Sequence, residues 1–346
     1  MSLYIGDHAK LSRVETMLRV TILILGHGLY STVTGPLEVF QFAGVWWNHL
    51  TGQPIDQRFE VVTASIDGQR VTGAGGLVIM PQCSIEQVSA TDLILVSSGG
   101  AQLDSILKHN GRAVAWLRKW HAQGATIAGI CSGVCLLAEA GILDGKEATT
   151  HWGLAEQFQA RYPKVDLKPD RLVTDAGNVL CGGGVNAALD LSLYLVERYC
   201  GREIAMQCAK SLLIETSRSS QAGFSVLALN KRHADQAILE AQAWIEGHYR
   251  QAFSMEELAS RYNMSLRSFM RRFKAATEGT PLAYLHQVRI GAAKNALEVG
   301  AEPIEVICNR VGYEDIAFFR TLFRRYVGVT PKTYREKFGA RPSLPR

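Results

Sequence analysis

The chain has 346 residues, of which 47% are hydrophobic and 20% charged, with a formal net charge of +5 and seven cysteines. The length exceeds one ordinary domain, the composition is that of a soluble globular protein, and no apolar run reaches the ~20 residues of a membrane span. An odd set of cysteines without paired spacing excludes a disulfide framework and a zinc pattern; no metal or cofactor is expected, and the absence of a signal-peptide pattern predicts a cytoplasmic protein.

The elements alternate along the first 200 residues. LRVTILIL (18–25) is a continuous apolar strand, and the stretch after Pro36 reads as helix to about Trp47. FEVVTAS (59–65) is a strand, RVTGAGGLVIM (70–80) a β-ribbon, and TDLILVSS (91–98) a further buried strand. A helix runs through Val114–His121, ATIAGI (125–130) is a strand, and helices follow after Cys131, over 152–161 and over 185–199. Buried strands alternating with helices predict an α/β fold with a doubly wound parallel sheet. The boundaries expected are an N-terminal extension (1–17), the α/β domain (18–200), a joint (201–233) containing the small polar segment LIETSRSSQAGFS, an all-α domain (234–340) and a tail (341–346).

Charge divides along the same line. Residues 234–346 hold 17 Lys/Arg against 12 Asp/Glu, net +5, which leaves 20 of each sign in 1–233. A basic domain joined to a neutral one is the footprint of a polyanion binder.

The helical part repeats itself at an offset of 50: Phe269 and Phe319, Phe273 and Phe323, Thr280-Pro281 and Thr330-Pro331, Tyr284 and Tyr334. Each copy reads as helix, turn, then a helix bearing F-x-x-x-F, whose i, i+4 rings share one face. The first copy has Met255–Tyr262, a turn at Asn263-Met264 and the cap Ser265; the second has Glu305–Arg310, a turn at Val311-Gly312-Tyr313 and the cap Asp315. Opposite the rings of the first copy lie Arg267, Arg271, Arg272 and Lys274, which suit a helix laid in the major groove. A connecting helix over about 282–298 would set the two about one helical turn of DNA apart. EELASRYNMSLRSFMRRF, TPLAYL, VGYEDIAFFRTLF and GVTPKTYREKF resemble the AraC/XylS family over about 245–338. The resemblance implies double-stranded promoter DNA as partner, with base-reading positions at Arg267, Met270 and Arg271 in one helix and Ile316, Ala317 and Thr321 in the other. Arg320 and Arg324 stand nearby. Glu278 departs from the family's turn glycine, and Gly279 beside it predicts a shifted turn.

In ATIAGICSGVCLLAEAGILDG a cysteine flanked by small residues joins a strand to a helix, the pattern of a nucleophile elbow. The helix dipole is expected to lower the Cys131 pKa, with His151 twenty residues on as a candidate base and Gly99-Gly100 offering backbone N–H groups. TGPLEVF, SSGG, GICSGVCLLAEAGILDGKEATTHW and CGGGVNAALDL resemble the PfpI-type, class I glutamine-amidotransferase-like superfamily over about 18–200, which implies a flavodoxin-like fold. Enzymes of that superfamily commonly carry a carboxylate just before the Gly-Pro; here Thr32 falls there, and Glu38 lies beyond Pro36. Thr32 holds no charge near pH 7. The expectation is therefore a non-catalytic sensor with a vestigial pair, Cys131 and His151, and a ligand pocket at Gly99, Gly100, Cys131, Ser132 and His151. The two domains together resemble the GlxA-type regulators, which implies an effector of amino-acid or quaternary-amine type, a homodimer, and a meeting with RNA polymerase at promoters. Three alternatives stay open for Cys131: a hydrolase or hydratase nucleophile, a redox switch, or a small buried core residue.

Overall fold

The computed structural model describes residues 17–216, 218, 220–225, 229–231 and 233–339. The chain divides between residues 219 and 220 into two compact units. The expected tail, most of the expected N-terminal extension and residue 340 lie outside the described residues.

The first unit begins with β1 (Leu18–Leu23), α1 (Ser31–Phe42), α2 (Trp46–Thr51) and β2 (Phe59–Ser65). The short strands β3 (Val71–Thr72), β4 (Val78–Ile79) and β5 (Cys83–Ser84) follow, then β6 (Leu93–Val96) and α3 (Leu103–Ala122). After β7 (Thr126–Ile130) and α4 (Val134–Glu139) come β8 (Glu147–Ala148), α5 (Ala155–Arg161), β9 (Asp166–Leu167), β10 (Val173–Asp175), β11 (Val179–Gly182), α6 (Ala187–Cys200) and α7 (Arg202–Ser211). Seven strands form one sheet in the order β10-β11-β7-β6-β1-β2-β5. Every pairing in it is parallel except β10 with β11. β3 and β4 make the expected ribbon as a separate antiparallel pair.

Strands such as LILV of β6 are buried along their whole length because both faces of the sheet are covered. One core holds Trp116 and Leu117 of α3 with Leu136 of α4; the other holds Phe40 of α1, Leu191 of α6 and Cys208 of α7. Three expectations change here. The first helix starts at Ser31, before Pro36, which sits buried in its second turn. There the ring removes only the one N–H that would have bonded the Thr32 carbonyl. The third helix starts at Leu103, well before Val114, with Asn110 breaking its regular geometry. Residues 202–211, expected in the joint, form α7 and pack on α6 as part of the first unit.

The second unit is all helix: α8 (Gln236–His248), α9 (Met255–Arg261), α10 (Leu266–Thr277), α11 (Pro281–Val299), α12 (Ile304–Arg310), α13 (Ile316–Val327) and α14 (Pro331–Phe338). Its two cores repeat the 50-residue offset, one around Phe269, Phe273 and Tyr284, the other around Phe319, Phe323 and Tyr334. The turn after α10 is not shifted. Glu278 itself takes the left-handed conformation at φ 63°, and its N–H bonds the Lys274 carbonyl at 2.9 Å. Fifty residues on, Gly328 does the same at φ 81°, bonding Arg324 at 2.8 Å. A side-chain-bearing residue is strained there by roughly 1–2 kcal/mol, part of which glycine returns as unfolded-state entropy. Glu278→Gly is therefore expected to stabilise the protein by about 0.5–1 kcal/mol, read as a higher urea midpoint.

Candidate functional site

Each candidate recognition helix is fixed at its start and along its back. Ser254 and Glu257 form a reciprocal capping box on α9, Asn263 turns the chain at φ 54°, and the Ser265 hydroxyl accepts from the Ser268 N–H to start α10. Asp315 accepts from Ala317 and Phe318 to start α13. Phe269, Phe273, Phe319 and Phe323 are wholly buried. At about 100° per residue, positions two before each ring lie on the far side. Arg267 and Arg271 are exposed there and Lys274 is exposed on one flank, and among the described residues their side chains meet no ion-pair or hydrogen-bond partner. Met270 is half-buried on the flank.

Arg272 departs from the expectation. It stands one residue from Phe273, on the flank, and its guanidinium takes both oxygens of Asp235 at 2.6 and 2.9 Å. Asp235 is also the N-cap of α8, so the arginine ties the recognition helix to the bundle. In the second helix Ala317, Thr321 and Arg324 are exposed and Ile316 half-buried. The Thr321 hydroxyl donates to the Ala317 carbonyl at 3.0 Å, and Arg320 pairs with Glu305 at 3.0 Å. Phe318 was missed in the sequence: it is 48% exposed, with its ring 6.0 Å from both His286 and Tyr313. The doublet Phe318-Phe319 was the signal, since Phe319 belongs to the F-x-x-x-F face and Phe318 stands about 100° off it.

The elbow forms as its sequence suggests. Cys131 has φ 56° between β7 and one 3₁₀ turn leading into α4. A Cβ on Gly133 would lie 2.2 Å from the Ser97 carbonyl oxygen, so the turn demands glycine. Cys131 is buried and Ser132 wholly so. Burial pushes the thiol up, against hydrogen bonds from Ser132 and Ser98 that pull it down, a direction opposite to the lowering expected from the helix end. The Gly99 N–H, expected to be free, donates to the Ser132 hydroxyl at 3.1 Å. His151 accepts the Gly153 N–H on Nδ1 at 3.0 Å and leans on Trp152, and burial lowers its pKa. Among the described residues no hydrogen bond joins the Cys131 thiol to His151. The Thr32 hydroxyl donates to Leu29 and accepts the Ser98 N–H at 3.1 Å, while Glu38 is exposed on α1. Gly99 also borders a cavity of about 260 Å³ beside the elbow, and Gly100 follows it at φ 93°. Among the described residues no cluster of three His, Cys, Asp or Glu side chains is set to hold a metal, and no helix is long and apolar enough to cross a membrane.

A family model for DJ-1/PfpI matches residues 19–198. The chain belongs to the DJ-1/PfpI family. A helix-turn-helix domain model matches residues 258–337 as well. The chain is 26% identical over 290 residues to the HTH-type transcriptional regulator GbdR of Pseudomonas aeruginosa, covering 84% of this chain and 77% of that one. It is 24% identical to the HTH-type transcriptional regulator GlxA of Rhizobium meliloti, over 97% of this chain and 99% of that one. It is also 33% identical over 137 residues to an isonitrile hydratase of Pseudomonas putida, covering 39% of this chain and 57% of the enzyme. A DJ-1/PfpI unit joined to an AraC-type module, alike along its length to transcription regulators, makes this protein a DNA-binding transcription regulator.

The Arg272–Asp235 pair holds the Asp235 carboxyl below the usual carboxylate range. Its stabilisation is complete above the ordinary aspartate pKa and is lost as pH falls through the lowered one. Arg272→Ala is expected to lower the thermal midpoint at pH 7, with the difference from wild type shrinking toward zero in acid. It should leave the salt dependence of DNA binding unchanged.

Proposed function

We propose that the DJ-1/PfpI unit is a non-catalytic sensor, and that a small nitrogenous molecule held there sets how the AraC-type module occupies promoter DNA. The observation that carries the reading is Thr32. It stands where the superfamily's acid is expected, and its hydroxyl, used on two backbone groups, cannot move a proton as a carboxylate would. The raised Cys131 pKa and the capping role of the His151 Nδ1 weaken the remaining pair. In the module, Arg267, Arg271, Lys274 and Arg324 are the cations offered to phosphates and bases, with Met270, Ile316, Ala317 and Thr321 as apolar and short contacts. The protein acts as a homodimer that meets RNA polymerase at its promoter, a part of the proposal that rests on the resemblance to regulators.

The rival reading, a Cys-dependent hydratase, draws on the strained elbow and on the isonitrile hydratase likeness. The two separate in a reporter assay run beside a turnover assay. The sensor reading expects Cys131→Ser to keep effector-dependent transcription, and wild type to leave isonitriles, amides and amines intact. Turnover by wild type that disappears in Cys131→Ser would establish the enzyme. Oxidant-sensitive DNA binding, with added oxygen confined to Cys131, would make it a redox switch.

For the module, Arg271→Ala is expected to weaken binding to a selected operator by about 1–3 kcal/mol and relax preference at one base pair. Equal loss on all duplexes would make Arg271 a phosphate contact.

A further inference from the structure

The cavity of about 260 Å³ lies where the sheet's connections diverge. β1 stands between β2 and β6. The crossover from β1 to β2 runs through α1 on one face, and that from β6 to β7 runs through α3 on the other. At such a switch point the loops leaving the strand ends part, and ligands of open α/β sheets lodge in the crevice. The cavity is walled by the segments that leave β1 (Gly26, His27), β2 (Ser65, Asp67) and β6 (Gly99), and by the first turns of α3. It is separate from the Cys131 thiol, which does not line it.

Several of its polar groups keep bonding capacity that the fold does not use. Arg70 has no ion-pair or hydrogen-bond partner among the described residues. Asp67 stands three residues away on the same loop, yet no ion pair joins the two. The Asp67 carboxylate uses Oδ1 on the Gln69 N–H at 3.0 Å and on Ser65 at 3.4 Å, leaving Oδ2 open. Two opposite, mutually unpaired charges on one cavity wall are complementary to a molecule that carries both. Local geometry is also distorted at this place. His27 holds φ 61°, and α3 breaks at Asn110 (φ −122°, ψ 20°), both on the lining. Distortion of this kind gathers at ligand clamps. The His109 Nδ1–H donates to the Ser105 carbonyl at 2.7 Å, so in the neutral ring Nε2 is left as an acceptor. The rest of the wall is Ile24, Ile66, Val71 and Ile106. The volume falls below the ~300 Å³ of sites for drug-sized ligands.

We propose that this cavity is the effector site and takes a small aliphatic α-amino acid as its zwitterion, the carboxylate against Arg70, the ammonium against Asp67 and the side chain on the isoleucine wall. This rests on the sensor reading above and moves the ligand from the elbow to the switch point. Recognition of both charges excludes the simple amine and the simple acid of the same skeleton, since either would leave one protein charge unanswered.

The test is thermal shift and calorimetry on the full-length protein with glycine, alanine and valine, against isobutylamine and isovalerate as half-molecules of valine. At least one amino acid is expected to raise the melting temperature, with neither half-molecule doing so. Arg70→Ala and Asp67→Asn are each expected to lose about tenfold or more in affinity, near 1.4 kcal/mol, while Cys131→Ser binds as wild type. Neither cavity variant removes a core side chain, and an unchanged far-UV circular dichroism spectrum and ligand-free melting temperature show that the α/β unit folds in each. No shift with any of the three amino acids overturns the proposal, as does binding untouched by both cavity variants. In the second case, with transcription still responding to the amino acid, the sensor reading stands and only its location falls.

Discussion

In the helical unit Phe273 packs edge-on against Tyr284 and Phe323 against Tyr334, each pair at 5.6 Å between ring centres. These contacts fix the rotation of α10 and α13 about their own axes, and that rotation decides which side chains meet solvent. Each buried ring is paired with a second one a turn earlier, so a slip of one residue would turn four apolar rings by about 100° toward water. Burying a phenylalanine is worth about 1.5–3 kcal/mol, so the penalty for such a slip is far larger than any surface ion pair can offset. The presentation of Arg267, Arg271 and Lys274 is therefore a consequence of core packing.

The α/β unit applies the same logic to the opposite end. Its elbow keeps the backbone of a nucleophile turn, held by glycine packing on the Ser97 carbonyl. The reactive groups are absorbed into the core: Ser132 bridges Ser98 and Gly99, Thr150 donates to the Cys131 carbonyl at 2.7 Å, and Thr32 pins Ser98. Ser98 and Ser132 bond the thiol, but its desolvation outweighs them. The backbone of the turn is also a rigid support for neighbouring loops, Gly99 among them.

Features set by local pattern were legible in the sequence. Continuous β-branched and leucine runs marked the parallel strands, the 50-residue offset marked the duplicated helices, and Ser265 and Asp315 marked their starts. Features set by competition between terms were not. Pro36 reads as a helix boundary, but in a second turn it removes a single bond, and burial of Val39 and Phe40 outweighs that loss. The segment 202–211 carries Ala205, Cys208 and Ala209 at helical spacing, but these side chains are small, and it is the surface offered by α6 that buries them. The helix dipole at Cys131 was visible, but desolvation is a property of the packed state and prevails. Glu278 and Arg272 show the limit from the other side. Their sites were readable from the repeat and the helical wheel, yet their partners, a strained turn and Asp235, are fixed only in three dimensions.

Two arginines of the recognition helices are paired, and the pairs are not equivalent. Arg320 meets Glu305 through one contact, with both side chains more than half exposed. Such pairs contribute about 0–1 kcal/mol, comparable to or less than a charge-assisted bond to a phosphate or guanine. Arg320 is therefore only loosely held, in a helix otherwise poor in cations at its N-terminal end. Arg272 is held bidentately by a carboxylate that also caps α8 through Ile238. Releasing it would leave the flank of α10 unsupported. The same residue type is thus loosely held in one helix and a structural tie in the other, and the carboxylate across from it decides which.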